Sequence, residues 1–91
     1  MTSYPLIISA IIKEQQQIIG PVALERAKKV GGLVIKDQNT VSISGDAKDI
    51  LNNLVKEYSN LFGKASIEVC RDAVKEITPP VPADMLPSIL Q

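Results

Sequence analysis

A glycine followed by a proline, Gly20-Pro21, divides two stretches whose apolar residues recur at helical spacing. Before it come Ile7, Ile8, Ile11, Ile12, Ile18 and Ile19, with most of them on one stripe of a helix. Gly20 can take a positive φ and end that helix without a Cβ penalty. Pro21 has its φ pre-set for a helical first turn, where it has no N–H to waste. Val22, Ala23, Ala27 and Val30 then carry a second apolar face. The joint predicts a helix, a sharp turn and another helix.

The pattern returns 43 positions later. Ile7 falls on Ile50, Ile11 on Leu54, Ile12 on Val55 and Ile18-Ile19-Gly20 on Leu61-Phe62-Gly63. Ile7–Val30 and Ile50–Ala73 share only Ile7, Lys13, Glu14, Gly20 and Glu25 as identities, yet nearly every apolar position matches. Internal duplication and a chance likeness of two amphipathic hairpins both fit such a pattern. Either way, two similar hairpins can pack face to face, with Gly20, Pro21 and Gly63 as structural hinges.

Between the hairpins, Leu33, Ile35, Val41 and Ile43 alternate as two half-buried strands would. Lys36-Asp37-Gln38-Asn39-Thr40 supplies turn chemistry. A β-hairpin over about 33–44 is expected, and two strands alone are marginal, so it must lean on helices or on another copy. The helices are expected at about Pro5–Ile19, Pro21–Val30, Asp46–Gly63 and Lys64–Ile77, with Ser3 and Asp46 as N-caps. The fold class is α+β, mostly α, in a single domain over 1–77. Thr78-Pro79-Pro80-Val81-Pro82 cannot be helical and opens an extended Pro-rich tail over 78–91. Met85, Leu86, Ile89 and Leu90 in that tail either dock back or bind a partner.

The chemistry that the chain can host is narrow. It has no histidine, which removes the usual general base and the commonest zinc ligand. Its single cysteine, Cys70, can form neither an internal disulfide nor a Cys-rich metal site. Cys70 lies on an apolar stripe and reads as a buried, inert thiol. No standard phosphate-binding glycine loop is present, and no cofactor, metal or catalytic residue is assigned. Asp46 with Asp49 and Asp72 with Glu76 read as capping charge and solvated helix surface. Ten acidic and ten basic residues balance, so nucleic acid is not an expected partner. Arg26, Lys28 and Lys29 form the one basic cluster, which reads as a solvated helix end beside Glu25. Gln15-Gln16-Gln17 interrupts the first stripe where the second hairpin has Tyr58. It reads first as polar helix surface, and second as a polar register device inside an interface. No run is long enough to span a bilayer, and the start of the chain lacks a basic n-region. A cytoplasmic location follows as the default.

The segment Ile19-Gly20-Pro21-Val22-Ala23 resembles the short IGP-x-A helical segments at the C-terminal ends of bacterial signalling proteins, notably serine/threonine kinases and adenylate cyclases of cyanobacterial type. The resemblance covers about ten of 91 residues and lies near the N-terminus of this chain. It implies a docking or dimerisation module without catalytic residues.

The leading expectation is a small cytoplasmic, non-enzymatic interaction or regulatory module that self-associates as a dimer, with a protein partner as a further option. Its contact residues would come from Ile7, Ile8, Ile11 and Ile12, the Leu33, Ile35, Val41 and Ile43 hairpin, and the Met85, Leu86, Ile89 and Leu90 tail. The isoleucines are expected there because they cover more of one helix than a small core should need. Alternatives are a small dimeric DNA-binding regulator and, less favoured, an enzyme with a Lys/Arg/carboxylate site at a helical interface.

Overall fold

The computed structural model describes residues 3–37 and 40–91. Ser3 caps the first helix, α1 (Tyr4–Ile19), by accepting a hydrogen bond from the Leu6 N–H, and Pro5 sits in its first turn. At the Gly20 C-cap the backbone turns to φ 72° and ψ −155°, and its N–H donates to the Gln16 carbonyl. The second helix, α2 (Val22–Ala27), follows at once. Then comes an antiparallel pair, β1 (Leu33–Asp37) and β2 (Thr40–Ile43). Asp46 caps α3 (Ala47–Phe62) by accepting from the Asp49 N–H. Gly63, at φ 76° and ψ −163°, joins it to α4 (Lys64–Lys75). The architecture is α+β and mostly α, as the spacing predicts.

Three local readings change. The second helix stops at Ala27 rather than Val30, because the last bonds tighten to the i→i+3 type. Lys29 and Val30 donate to the carbonyls of Arg26 and Ala27, and the chain then turns through Gly31-Gly32. The fourth helix likewise ends at Lys75 instead of Ile77. Lys36 and Asp37 belong to β1 and Thr40 to β2, so the turn is shorter than expected; Gln38 and Asn39 lie outside the described residues.

One core serves all elements. Ile7, Ile8, Ile11 and Ile12 of α1 pack with Ala23 and Ala27 of α2, Leu51, Leu54 and Val55 of α3, and Cys70 and Ala73 of α4. α1 lies against α4 and runs antiparallel to it: Gln15 meets Ser66, while Ala10 and Glu14 share a notch with Ala73 and Glu76. The β-hairpin covers part of α1 with one face; Leu33 is buried, Ile35, Val41 and Ile43 are half-buried, and Val34 faces out. The Pro-rich segment, with a cis Thr78–Pro79 peptide, returns the chain to α4. There Leu86, Pro87 and Leu90 are buried and Met85 and Ile89 half-buried, so the tail contributes to the same core as the helices.

Gly20 and Gly63 occupy a backbone region that is essentially open to glycine only, though a Cβ there would meet no neighbour. Gly20→Ala and Gly63→Ala should therefore each cost about 1–3 kcal/mol through backbone strain alone. Urea unfolding should show a lower midpoint with an unchanged slope.

Candidate functional site

The repeated joint is a three-dimensional relation as well as a sequence pattern. Moved 43 positions along the chain, Tyr4 and Ile19, the ends of α1, land on Ala47 and Phe62, the ends of α3. The capping residue Ser3 lands on Asp46, and the Gly20–Gln16 bond on the Gly63–Ser59 bond.

The two halves also hold each other reciprocally. Gln15 Nε2 donates to the Ser66 carbonyl at 3.1 Å, from α1 to α4. Tyr58 Oη donates to the Ala23 carbonyl at 2.7 Å, from α3 to α2. Gln15 and Tyr58 are equivalent positions under the 43-residue shift, and so are Ala23 and Ser66. The shift exchanges one bond with the other, so the two hairpins grip each other at equivalent positions. Gln15, which by sequence alone reads as plain polar surface, is 1% exposed. A buried amide is stable there because its donors are satisfied, the second contact being Cys70 Sγ at 3.4 Å. Burial pushes the Cys70 thiol up to about 11, partly offset by the Gln15 bond, so the thiolate needed for redox chemistry is scarce. Burial likewise raises the Tyr58 hydroxyl, with Cys70 and Glu57 adding to it.

The halves differ in charge. Glu57 of α3 faces Arg26 of α2 at 3.7 Å. The equivalent of Glu57 is Glu14, and the equivalent of Arg26 is Val69, so Glu14 has no matching cation. It meets Asp72 of α4 and Glu76 at the helix's C-cap instead, and its carboxyl is raised above the ordinary 4.5 by desolvation, then by Glu76 and Asp72. A carboxyl that holds its proton more tightly when folded favours the fold below its unfolded value, and that contribution is lost as pH rises through the raised folded value. Glu14→Gln should therefore stabilise the chain at pH 7 and not below pH 4, by less than about 1 kcal/mol at a site that water still screens. Thermal melts at both pH values would read the difference.

The arrangement leaves apolar side chains uncovered at one end. Gln15 already meets Ser66 in the first turn of α4, so one turn later α1 has outrun its partner. Ile18 is 62% exposed. At the equivalent place on α3, Leu61 is 39% and the adjoining Phe62 42% exposed. Because α1 pairs antiparallel with α4, and the exchange relates this to α3 with α2, both long helices end on the same side. Ile18, Leu61 and Phe62 thus lie beside the two glycine joints, in the last turns of α1 and α3.

The other expected contact residues are placed differently. Ile7, Ile8, Ile11 and Ile12 are fully inside the core of this one chain and have no surface left to present. The surplus of isoleucine is absorbed by four neighbouring elements that the helical wheel of α1 alone cannot display. Leu33, Leu86 and Leu90 are buried too. Ile35, Val41, Ile43, Met85 and Ile89 are half-buried and packed on the core. The β1 edge carries a register shift at Lys36, and a bulge beside a lysine is an obstacle to edge-to-edge pairing. The sequence pattern could have flagged Gln15, which continues the stripe four residues after Ile11. Among the described residues no group of His, Cys, Asp or Glu is placed to hold a metal, and no helix is long and apolar enough to cross a membrane.

The chain matches no protein-family model, no curated protein and no solved structure.

Proposed function

We propose that this chain is a small cytoplasmic, non-enzymatic interaction module that pairs with a second copy of itself through the joint end. The observation that carries the reading is the exposure of Ile18, Leu61 and Phe62 at the ends of two equivalent helices. An end patch built twice in one chain is suited to a symmetric partner, since isologous contacts need self-complementary surfaces.

Magnitudes make this association weak. Fully burying a large apolar side chain is worth about 1.5–3 kcal/mol, and these three are already part-buried. Association itself costs about 4–15 kcal/mol. The dimer should therefore form only at high concentration, above about 100 µM, in the range of transient contacts. Light scattering after size exclusion, loaded over a wide concentration range, reads this directly. The expected result is a mass that climbs toward twice the monomer for the native chain. Ile18→Asp with Leu61→Asp should stay monomeric with an unchanged helical spectrum. A native chain that stays monomeric at the highest concentration overturns the reading.

A further inference from the structure

The two helical hairpins are tied to each other by polar bonds, Gln15 joining α1 to α4 and Tyr58 joining α3 to α2. The returning tail has no such tie. Among the described residues, every hydrogen bond made by 79–91 stays inside that segment. Met85 and Leu86 donate to the Pro82 and Ala83 carbonyls, and Leu90 and Gln91 to those of Pro87 and Ser88. Gln91 Nε2 then closes the segment on itself, donating to the Ala83 and Leu86 carbonyls at 3.0 and 2.8 Å. Two short turns and one amide thus make a unit whose hydrogen bonds do not depend on α4.

What holds the unit down is apolar. Leu86, Pro87 and Leu90 are buried, and Val74 of α4 with them. Among the described residues no ion pair joins the segment to α4, and Arg71 is paired with Glu68 of its own helix. The seam is also incompletely packed: a groove of about 350 Å³ remains between α4 and the tail, lined by Val74, Val81, Leu86 and Leu90. Protein interiors hold few voids larger than a water molecule, so this seam forgoes dispersion contact that a close-packed core keeps. Pro79, Pro80 and Pro82 have no N–H to give, and the stretch that links the unit to α4 makes no backbone bond to the body. Lifting the unit therefore breaks no hydrogen bond and separates no charges. It exposes only the apolar side chains of one seam, which is what makes a segment open at lower cost than the whole.

We infer that the tail is a strap that lifts from α4 as one unit while the four helices stay folded, uncovering Leu86 and Leu90 together with the Val74 flank of α4. The strap governs access to an apolar surface. It is independent of the joint end, and neither proposal requires the other.

Hydrogen exchange of the full chain, followed by amide spectra at urea concentrations below the unfolding transition, tests it. The Leu86 and Leu90 amides should be protected, yet exchange about tenfold or more faster than those of Ile11 and Leu54. They should depend little on urea, because a small seam exposes little surface, whereas Ile11 and Leu54 should follow the steep dependence of global unfolding. Tyr58→Phe removes a bond that stays made when the strap lifts. It should speed Ile11 and Leu54 about fivefold to a hundredfold and leave Leu86 and Leu90 unchanged. Leu90→Ser weakens the seam itself and should speed the Leu86 amide about tenfold or more. Tail amides that share the urea slope of the core, or that accelerate with it in the Tyr58→Phe chain, overturn the proposal, since the tail would then open only as the whole chain unfolds. Unprotected tail amides, or an unmoved Leu86 amide in Leu90→Ser, overturn it as well, since this seam would not be what seats the strap.

Discussion

Tyr58→Ala should destabilise the chain by about 3–5 kcal/mol, whereas Tyr58→Phe should cost about 1–3 kcal/mol. The two numbers separate two jobs. The ring is fully buried among the helices, so truncation to alanine empties a large core volume. Phenylalanine keeps that volume and removes only the hydroxyl that donates to the Ala23 carbonyl at 2.7 Å. Small domains are stable by only about 5–15 kcal/mol, so the alanine variant should lie close to unfolding at ambient temperature. Urea denaturation of the three proteins would give both differences. An alanine cost no larger than the phenylalanine cost would mean that the ring does not fill the core.

Gln15→Glu should be the second large effect, and it should depend on pH. The native amide donates to the Ser66 carbonyl and to Cys70 Sγ, both of which are acceptors. An ionised carboxylate there would be buried against acceptors, so the variant must hold a proton when folded. Keeping a glutamic acid neutral at pH 7, from an ordinary value near 4.3, costs about 3–4 kcal/mol. Its folded pKa is raised, so stability is retained below the unfolded value and lost as pH climbs toward the folded one. Measured against the native chain, the penalty should be large at pH 7 and nearly absent at pH 4, where the protonated acid can donate to the Ser66 carbonyl. Gln15→Leu should lose about 1–3 kcal/mol at both pH values. Equal penalties for Gln15→Glu at pH 4 and pH 7 would place Gln15 in water.

Much of the fold was legible because local chemistry and long-range packing agree. Ser3, Gly20, Asp46 and Gly63 each sit at a helix boundary for a reason contained in the residue itself. The alternation of Leu33, Ile35, Val41 and Ile43 likewise fixes the face that the hairpin turns inward. What was not legible depends on where one helix ends relative to another. Ile11 and Ile18 are seven residues apart and share a stripe, yet one is buried and the other exposed. The difference is that α4 begins level with Gln15, a fact about a neighbour rather than about α1. Gln15 was hidden among three identical residues, and only the position of Tyr58 in the second hairpin marks it out. Glu14, Asp72 and Glu76 come together across two helices far apart in sequence, so no local pattern announces their repulsion.

The most direct test of the proposed pairing is the amide spectrum of the native chain as it is diluted from millimolar to micromolar concentration. The account expects concentration-dependent shifts that cluster at Gln17–Gly20 and Asn60–Lys64, the two halves of the joint end, with the β-hairpin unmoved. Shifts confined to Leu33–Ile43, or a spectrum that does not change with dilution, would contradict it.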